Sequence, residues 1–401
     1  MESERRGLLI LFEGFPPTVI RSQVISLVAW LARERLIHFD ILSIACSKGV
    51  FAQGRGELKS VIETVRQVDP KAGVTLLRGM RPAFPGATLY NRHLVRGHIN
   101  QRWGRYCLLH ARTDYAASIV APLGRANKIP LVWDCRGDAS AEFLGRAQQQ
   151  NTPQWLAQRR AASLLTQARR AADSCSGAIF VSSALHQRWQ SHIRGPAHVI
   201  PTLADGDRFC FSAELRARAR QELGIASDER VYVYSGTLSA YQGFADAVRT
   251  FQHALKEGPH ARLLVLTPSV GQGQALLAQL PAAKFLLKSV DFRDMNRMLN
   301  AADFALLTRP PSAINRAAFP TKFAEYGLAG LPVIMSDATP DCVTHAQQAG
   351  NYLPMALSTL PACLDANQRT AVSEYYRRAL TAENFRAQYA ELYSLAGKTE
   401  A

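Results

Sequence analysis

The sequence predicts an α/β fold built from two doubly wound domains that face a central cleft. The chain has 401 residues, which is more than one ordinary hydrophobic core supports, so two domains are expected. Short strands that are apolar throughout alternate with helices, a pattern typical of parallel sheets covered on both faces. The alternation occurs in two series of similar length, which favours two Rossmann-like domains.

The first series begins with a strand at 7–12 and a loop at 13–18 that contains Gly14 and two prolines. A helix with an apolar face follows from about Ser22. A further helix is expected around 114–126, and a basic helical segment around 153–172. The other strands are predicted at 39–44, 107–110, 129–133 and 177–181.

The second series begins after a linker predicted at 198–209 and a helix at 216–223. Its strands are predicted at 231–234, 262–267, 284–287, 304–307 and 332–335, with helices near 272–280, 295–302 and 322–328. A final helix, at about 382–395, is expected to pack back on the first domain. The predicted division is therefore 1–200, 201–380 and a C-terminal segment, 381–401.

Composition restricts the class of protein. The chain is 47% hydrophobic and 20% charged, which is typical of a globular protein. No apolar run approaches the roughly 20 residues that span a bilayer. The apolar stretch near the start has the length of a strand and lacks the pattern of a signal peptide. The seven cysteines form no C-x-x-C pair, which argues against a zinc site or a disulfide framework. A cytoplasmic protein is expected.

The positive charge is concentrated in the first half. Residues 1–200 hold 27 Lys and Arg against 13 Asp and Glu, whereas residues 201–401 hold 20 against 19. A basic half attracts phosphates, anionic lipids or nucleic acid. Nucleic acid is disfavoured, because there is no recognition-helix pattern, RNP-like strand or run of five basic residues. Phosphates and an anionic membrane surface on the cytoplasmic side both remain as partners of the basic half; the alternative is an arginine-rich composition that reflects coding bias alone.

The stretch at 319–334 reads FPTKFAEYGLAGLPVI. Thr321 begins a short helix, and Lys322 lies in its first turn. A helix start offers unpaired N–H groups and a partial positive charge to an anion. Glu325 lies one turn later, so its carboxylate can reach the same end of the helix. The pattern favours a nucleotide site with phosphate at Thr321 and Lys322; the alternative is a capping pair on an ordinary packing helix.

The second half resembles the nucleotide-sugar domain of glycosyltransferases with the GT-B fold, most of all family-4 members of bacterial polysaccharide synthesis. The resemblance rests on the stretch above and on three further segments. These are VYSG at 233–236 followed by YQG at 241–243, NAADF at 300–304, and HVIPTLADGDRF at 198–209, which is similar to the interdomain segment of the family.

The resemblance implies donor-binding roles for several residues. The family has two glutamates eight positions apart; the second is matched by Glu325, which would bind the ribose hydroxyls, and the first falls at Ala317. Gly236 and Thr237 lie in the glycine turn of the donor site, but Thr237 and Gln242 occupy the positions of the phosphate-binding Arg and Lys of the family. Two usual cations are therefore missing.

Other cations are candidates to replace them. Lys322 is one, and Arg309 and Arg316 in the neighbouring loop are the others. A guanidinium group holds phosphate oxygens in pairs, so either arginine would serve chemically. The alternative for each arginine is simple exposure to solvent.

The first half offers candidates for acceptor binding and catalysis at strand ends, where ligands bind in such sheets. The catalytic candidates are His110, Asp134 and Arg136. The acceptor-binding candidates are Gly14, Arg21, Arg112 and Asp138. The alternatives are a structural histidine and an ordinary Asp-Gly turn.

The resemblance implies a hexosyltransferase-type enzyme that moves a sugar from a UDP- or GDP-linked donor to a glycan or lipid-linked acceptor, with retention of configuration. No cofactor other than this nucleotide-sugar substrate is expected. No Asp-x-Asp sequence suited to a metal follows a strand, and Asp205-Gly206-Asp207 is interpreted as structural, so transfer without a metal is expected. The missing residues at Ala317, Thr237 and Gln242 leave two alternatives: a non-catalytic GT-B protein that binds a nucleotide or a partner, and a GT-B phosphorylase or epimerase.

Overall fold

A computed structural model describes residues 5–15, 20–102, 104–355 and 361–400 of the chain, with backbone alone at 21–22 and 398–400. The chain divides into two compact units. The first comprises Met1–Pro201 together with Phe385–Ala401, and the second comprises Thr202–Asn384. Of the predicted C-terminal segment, residues 381–384 belong to the second unit and the rest to the first, where Tyr389, Leu392 and Tyr393 are buried.

The described part of the first unit holds a seven-stranded sheet in which every pair of neighbours is parallel. Its order is β3-β2-β1-β4-β5-β6-β7. The strands are β1 (Arg6–Leu11), β2 (His38–Ala45), β3 (Val74–Arg78), β4 (Leu108–Arg112), β5 (Leu131–Cys135), β6 (Gly177–Phe180) and β7 (Ala197–Val199).

Helices connect these strands, as parallel neighbours require. They are α1 (Ser26–Arg33), α2 (Lys48–Val68), α3 (Ala87–Asn100), α4 (Asp114–Ala126), α5 (Ala139–Gln149), α6 (Gln154–Ala172) and α7 (Ser183–Trp189). A π-helical turn, Ile20–Ile25, leads into α1. The chain returns to this unit with the C-terminal helix α16 (Arg386–Ser394).

The described part of the second unit holds a six-stranded parallel sheet with the order β10-β9-β8-β11-β12-β13. The strands are β8 (Arg230–Ser235), β9 (Ala261–Leu266), β10 (Phe285–Lys288), β11 (Phe304–Leu307), β12 (Val333–Met335) and β13 (Tyr352–Pro354). The helices are α8 (Ala213–Glu222), α9 (Phe244–Glu257), α10 (Val270–Leu277), α11 (Met295–Asn300), α12 (Ala313–Ala317), α13 (Thr321–Leu328), α14 (Pro340–Gln348) and α15 (Ala366–Ala379).

Both sheets are doubly wound, which confirms the predicted fold class. In each sheet the strand order reverses beside the first strand of the series, between β1 and β4 and between β8 and β11. The central strands are buried on both faces because helices cover both, and this explains the apolar runs within them. Ligands of such sheets bind at the carboxyl ends of the strands beside this reversal. The two reversals therefore mark where to look for a site in each unit.

Candidate functional site

The carboxyl end of β8 lies against the first turn of α13. Gly236 follows β8 with a φ of 119°, a conformation that L side chains rarely adopt. A Cβ atom at this position would lie 3.3 Å from Nζ of Lys322 and 3.3 Å from Oε1 of Gln242. The glycine therefore permits Lys322 and Gln242 to approach the end of the strand.

Lys322 is buried at this point. Its Nζ donates a hydrogen bond to the carbonyl oxygen of Ser235 over 2.8 Å and lies 4.4 Å from the centroid of the Tyr234 ring. Burial lowers the pKa of Lys322 well below its usual value, and the charge of Arg309 lowers it further, whereas Glu325 raises it. An anion that enters the site would favour the protonated, charged form of Lys322.

Glu325 lies one turn further along α13, with only 9% of its surface exposed. Its carboxylate forms no hydrogen bond with any of the residues that the structure describes. Burial raises the pKa of Glu325 to about 7, although the charge of Lys322 acts in the opposite direction. The carboxylate is thus available to accept hydrogen bonds from a ligand.

Arg309 brings a second buried cation to the same edge of the sheet. It follows β11, and its Nη1 donates a hydrogen bond to Oδ1 of Asn315 over 2.8 Å. Its guanidinium carbon lies 5.9 Å from the centroid of the Tyr241 ring. Its Nε is buried and has no hydrogen-bond partner among the described residues. Burial lowers the pKa of Arg309, and no carboxylate in the described ranges forms an ion pair with it.

Asn315 holds the loop that carries Arg309. Its Nδ2 donates hydrogen bonds to the carbonyl oxygens of Tyr241 over 2.9 Å and Pro310 over 2.8 Å. Ser312 caps α12 through its Oγ, which accepts from the backbone N–H of Asn315. Sequence reasoning missed Asn315 and Tyr241, because these contacts join segments about 70 residues apart.

A close backbone contact reinforces this connection. Gly243, with a φ of 73°, lies so near the end of β11 that a Cβ atom would meet the carbonyl oxygen of Thr308 at 1.8 Å. Oγ1 of Thr308 donates a hydrogen bond to the carbonyl oxygen of Gly243 over 2.8 Å. The turn after β8 and the loop after β11 are therefore fixed to each other.

The remaining predicted donor residues lie around this edge with different exposures. Thr237 is exposed, and its Oγ1 accepts a hydrogen bond from Nε2 of Gln242 over 2.8 Å. Oε1 of Gln242 is buried without a partner in the described part of the chain. Thr321 is the half-buried first residue of α13, and Arg316 is exposed. Ala317, where the resemblance expects a carboxylate, is buried.

In the first unit, His110 lies within β4 and is buried, with 2% of its surface exposed. Its Nδ1 lies 3.1 Å from the hydroxyl of Tyr393 on α16, and its Nε2 lies 3.7 Å from Oδ2 of Asp134. The tyrosine thus occupies one ring nitrogen and leaves the other facing the carboxylate.

Asp134 lies beside Arg112 because the two residues are paired in the register of β4 and β5. Its Oδ2 lies 3.6 Å from Nη1 of Arg112, and its Oδ1 lies 3.5 Å from Nη1 of Arg136. Burial alone would raise the pKa of Asp134, but Arg136, His110 and Arg112 outweigh it and hold the pKa well below its usual value. Asp134 is therefore ionised at neutral pH.

Two further side chains orient the arginines. Nε of Arg112 donates a hydrogen bond to Oε1 of Glu13 over 3.1 Å, and its Nη2 donates to Oε1 of Gln23 over 2.6 Å. Nη2 of Arg136 donates to the same oxygen of Gln23 over 3.3 Å. Residues from the ends of β1, β4 and β5 thus form one polar cluster at the reversal of the first sheet.

The other predicted acceptor residues have identifiable contacts. Asp138 caps α5 by accepting from the backbone N–H of Ala141 over 3.0 Å, and it also pairs with Arg188. Gly14 has a φ of 71°, and its carbonyl oxygen accepts from Oγ of Ser43 over 2.7 Å. Arg21 lies in the π-helical turn, and its side chain is outside the described residues, as is the loop at 16–19.

Sequence reasoning also missed Asp114, the first residue of α4. Burial raises its pKa to about 7, and Sγ of Cys135 lies 3.6 Å from its Oδ1.

Among the described residues, no group of three or more His, Cys, Asp or Glu is arranged to hold a metal ion. Within the same ranges, no helix has the length and apolar character needed to cross a bilayer.

No protein-family model matches the chain, and no curated protein is significantly similar to it in sequence. Solved structures are similar over almost its whole length. HepE of Anabaena in complex with UDP has a TM-score of 0.61 and 15% identity, with 98% of this chain and 93% of that chain covered. The chain has the GT-B fold.

Two further GT-B structures extend this finding. Sucrose-phosphate synthase of Thermosynechococcus elongatus has a TM-score of 0.61 and 15% identity, with coverage of 99% and 94%. WaaG, described as a glycosyltransferase involved in lipopolysaccharide biosynthesis, has a TM-score of 0.57 and 15% identity, with coverage of 98% and 96%. The predicted GT-B architecture is confirmed, whereas identities this low leave the activity to be argued from the site.

Proposed function

We propose that the protein is a glycosyltransferase of the hexosyltransferase type that moves a sugar from a nucleotide diphosphate sugar to a glycan or lipid-linked acceptor. The observation that carries the proposal is the pair Lys322 and Glu325. Both are buried on the first turns of α13, and Lys322 lies beside Gly236 at the reversal of the second sheet.

The charge of this site supports a diphosphate as ligand. Lys322 and Arg309 are two buried cations. The carboxylate of Glu325 raises the pKa of Lys322 but forms no ion pair with Arg309 among the described residues. Burying a cation without an anionic partner costs free energy. A dianionic ligand would compensate this charge and thereby stabilise the occupied site. Arg309 and Lys322 would thereby replace the cations that the resemblance expects at Thr237 and Gln242.

Glu325 supplies the second half of nucleotide recognition. An ionised carboxylate accepts hydrogen bonds through both oxygens, which suits two neighbouring hydroxyls of a ribose. Thr321 begins α13, so the helix start adds N–H donors for a phosphate oxygen. The complexes of HepE with UDP and with UDP-glucose make uridine nucleotides the first donors to test.

The leaving diphosphate needs fixed positive charge more than it needs a base. Lys322, Arg309 and the start of α13 provide that charge, so the proposal includes transfer without a metal. Retention of configuration belongs to the proposal on the family resemblance alone.

The first unit is proposed to bind the acceptor through the cluster around Asp134. This carboxylate is held ionised by Arg112, Arg136 and His110, so it can accept a hydrogen bond from an acceptor hydroxyl. His110 is buried between Tyr393 and Asp134, which suits a positioning role. We further propose a cytoplasmic location with attachment to an anionic membrane surface, supported by the basic first half.

A nucleotide panel tests the donor site. UDP, GDP, UDP-sugars and GDP-sugars are added to the wild type and to Glu325→Gln, and the dissociation constant is measured by calorimetry. At least one nucleotide should bind the wild type and bind the variant at least tenfold more weakly, since one charged hydrogen-bonding group is lost. Glu374→Gln, an exposed glutamate on α15, is the matched control and should bind normally. Equal affinity in Glu325→Gln and wild type would remove this residue from the site.

The alternatives predict different products. The missing residues at Ala317, Thr237 and Gln242 motivate a non-catalytic protein, which would bind a nucleotide but turn over no acceptor. An epimerase would convert the donor without an acceptor, and a phosphorylase would require inorganic phosphate. Product analysis with and without acceptor and phosphate separates these three outcomes from transfer.

A further inference from the structure

Five large apolar side chains are exposed near the amino-terminal ends of α3 and α6. Leu89 and Trp155 are 69% and 67% exposed, and Phe84 is 56% exposed. Tyr90 and Leu156 complete the set, which we call the apolar rim. Exposure of several large apolar groups at one place is unusual for a surface that meets only water.

The two parts of the rim lie on or next to helices that both pack against α4. Helix α4 packs against both α3 and α6. The hydroxyl of Tyr115 on α4 accepts a hydrogen bond from Nδ2 of Asn91, one residue after Tyr90. Burial raises the pKa of Tyr115, while the charge of Arg160, one turn after Leu156, acts to lower it. Tyr115 is therefore near both helices.

The rim lies towards the carboxyl edge of the first sheet. Phe84 and α3 follow the carboxyl end of β3, and α6 ends shortly before β6 begins at the amino edge. The start of α6 is thus directed towards the same edge as the cluster around Asp134.

The chain around the rim has no acidic residue over long distances. Residues 70–113 contain eight Lys and Arg, and residues 143–172 contain five, with no Asp or Glu in either segment. The two segments together carry a net charge of +13, and the whole chain carries a net charge of +15. Arg81, Arg96 and Arg159 are exposed among them. The rim therefore lies in a region of excess positive charge, in which Arg105 pairs with Asp40 and Arg112 pairs with Glu13 and Asp134.

This combination favours a lipid surface over other partners. Nucleic acid would offer phosphates to the arginines but no apolar environment to Leu89 and Leu156. A second copy of the chain would bring two positively charged faces together, and like charges repel. An anionic bilayer offers both phosphates and an apolar layer directly below them.

We propose that the apolar rim docks on an anionic phospholipid bilayer, with its apolar side chains in the interfacial layer and the surrounding arginines on lipid phosphates. The inference deepens the membrane part of the proposed function and rests on it. It also favours a lipid-linked acceptor, because docking brings the carboxyl edge of the first sheet towards the bilayer.

Vesicle flotation of the full chain tests the proposal. Vesicles of phosphatidylcholine alone are compared with vesicles that also contain phosphatidylglycerol, at low and high salt. The wild type should float with the anionic vesicles at low salt and much less at high salt. The double variant Leu89→Ser with Trp155→Ser should bind them at least tenfold more weakly. Leu276→Ser, an exposed leucine of the second unit, is the control and should bind as the wild type does.

Other results would overturn the proposal. The first is undiminished vesicle binding by the double variant, and the second is equal binding to neutral and anionic vesicles. The third is a protein that binds no vesicles but binds RNA or dimerises through the residues of the rim. The dissociation constant for UDP is measured on every variant and should not change. Vesicle binding without nucleotide binding would refute the donor site while leaving the rim in place, so the two proposals fail separately.

Discussion

The hydroxyl of Tyr393 lies 3.1 Å from Nδ1 of His110, although 283 positions separate the two residues in the chain. This contact ties α16 to the middle of the first sheet. Because Nδ1 is occupied, Nε2 of His110 is the nitrogen that faces Asp134. The orientation of a group beside the proposed acceptor site thus depends on the C-terminal helix.

Removal of that hydroxyl should destabilise the first unit. Tyr393→Phe leaves the buried Nδ1 without its partner, which costs about 1–3 kcal/mol in the free energy of unfolding. Urea denaturation followed by tryptophan fluorescence measures this loss. Tyr90→Phe, at an exposed tyrosine, should leave the unfolding free energy unchanged. A Tyr393→Phe protein as stable as the control would show that the contact contributes nothing.

Stability should depend on Glu325 between pH 4.5 and 7. The pKa of Glu325 is raised from 4.5 to about 7 by burial. As pH rises, the unfolded chain releases the proton of Glu325 at a lower pH than the folded chain does. The contribution of Glu325 to the free energy of unfolding is therefore lost between these two pKa values. Glu325→Gln should therefore be more stable than the wild type at pH 8, by up to roughly 3 kcal/mol. Denaturation of both proteins at pH 5 and pH 8 measures the difference, which should be much smaller at pH 5.

Nucleotide affinity should change with pH in the opposite sense. Hydroxyls of the ligand donate to the ionised carboxylate, so affinity should rise as pH increases through about 7. Calorimetric titration with UDP at several pH values measures this rise. The rise should be absent in Glu325→Gln and present in Glu374→Gln. A parallel rise in both variants would assign it to another group.

Close packing of α13 should make Gly327 sensitive to substitution. A Cβ atom at Gly327 would lie 2.1 Å from Cδ1 of the buried Tyr376 on α15. Gly327→Ala should therefore displace α13, lower the unfolding free energy by about 1–3 kcal/mol and weaken nucleotide binding. Gly271→Ala on α10 is the matched control, since no atom lies within 4 Å of its Cβ position. The control should be as stable as the wild type or more so.

Arg6 should contribute strongly to the stability of the first unit. It is buried, with Nη1 at 3.0 Å from Oδ1 of Asp40 and at 3.0 Å from Oδ2 of Asp69. Arg6→Met leaves two buried carboxylates without this cation, at a cost of about 3–5 kcal/mol. The exposed Arg55→Met serves as control in the same denaturation assay, and a similar small loss in both variants would contradict the prediction.

Much of the fold could be predicted because buried parallel strands have a local signature. Strands β1, β5 and β8 contain apolar runs at 8–11, 131–133 and 231–234, and each run is visible without knowledge of its neighbours. The edge strands β3, β7 and β13 were not predicted, and residues 198–199 of β7 fall in the segment that was predicted as a linker. They lie at the edges of the sheets and are only partly buried, so they lack the fully buried run that marks a central strand.

The candidate sites show the same division between local and distant information. Lys322 and Glu325 are three positions apart on one helix, so their shared face follows from helical geometry. The contacts of Arg309 with Asn315 and Tyr241, and of His110 with Tyr393, depend on tertiary packing. No spacing rule relates such residues, because the sheet order decides which strand ends and helices meet.

The return of the chain to the first unit has a consequence for synthesis. A ribosome makes residues 386–394 only after the whole of the second unit, yet Tyr389, Leu392 and Tyr393 are part of the buried interior of the first. The second unit has all its strands beforehand and can acquire structure while translation continues. The first unit, whose synthesis begins first, is therefore the unit that completes its fold last.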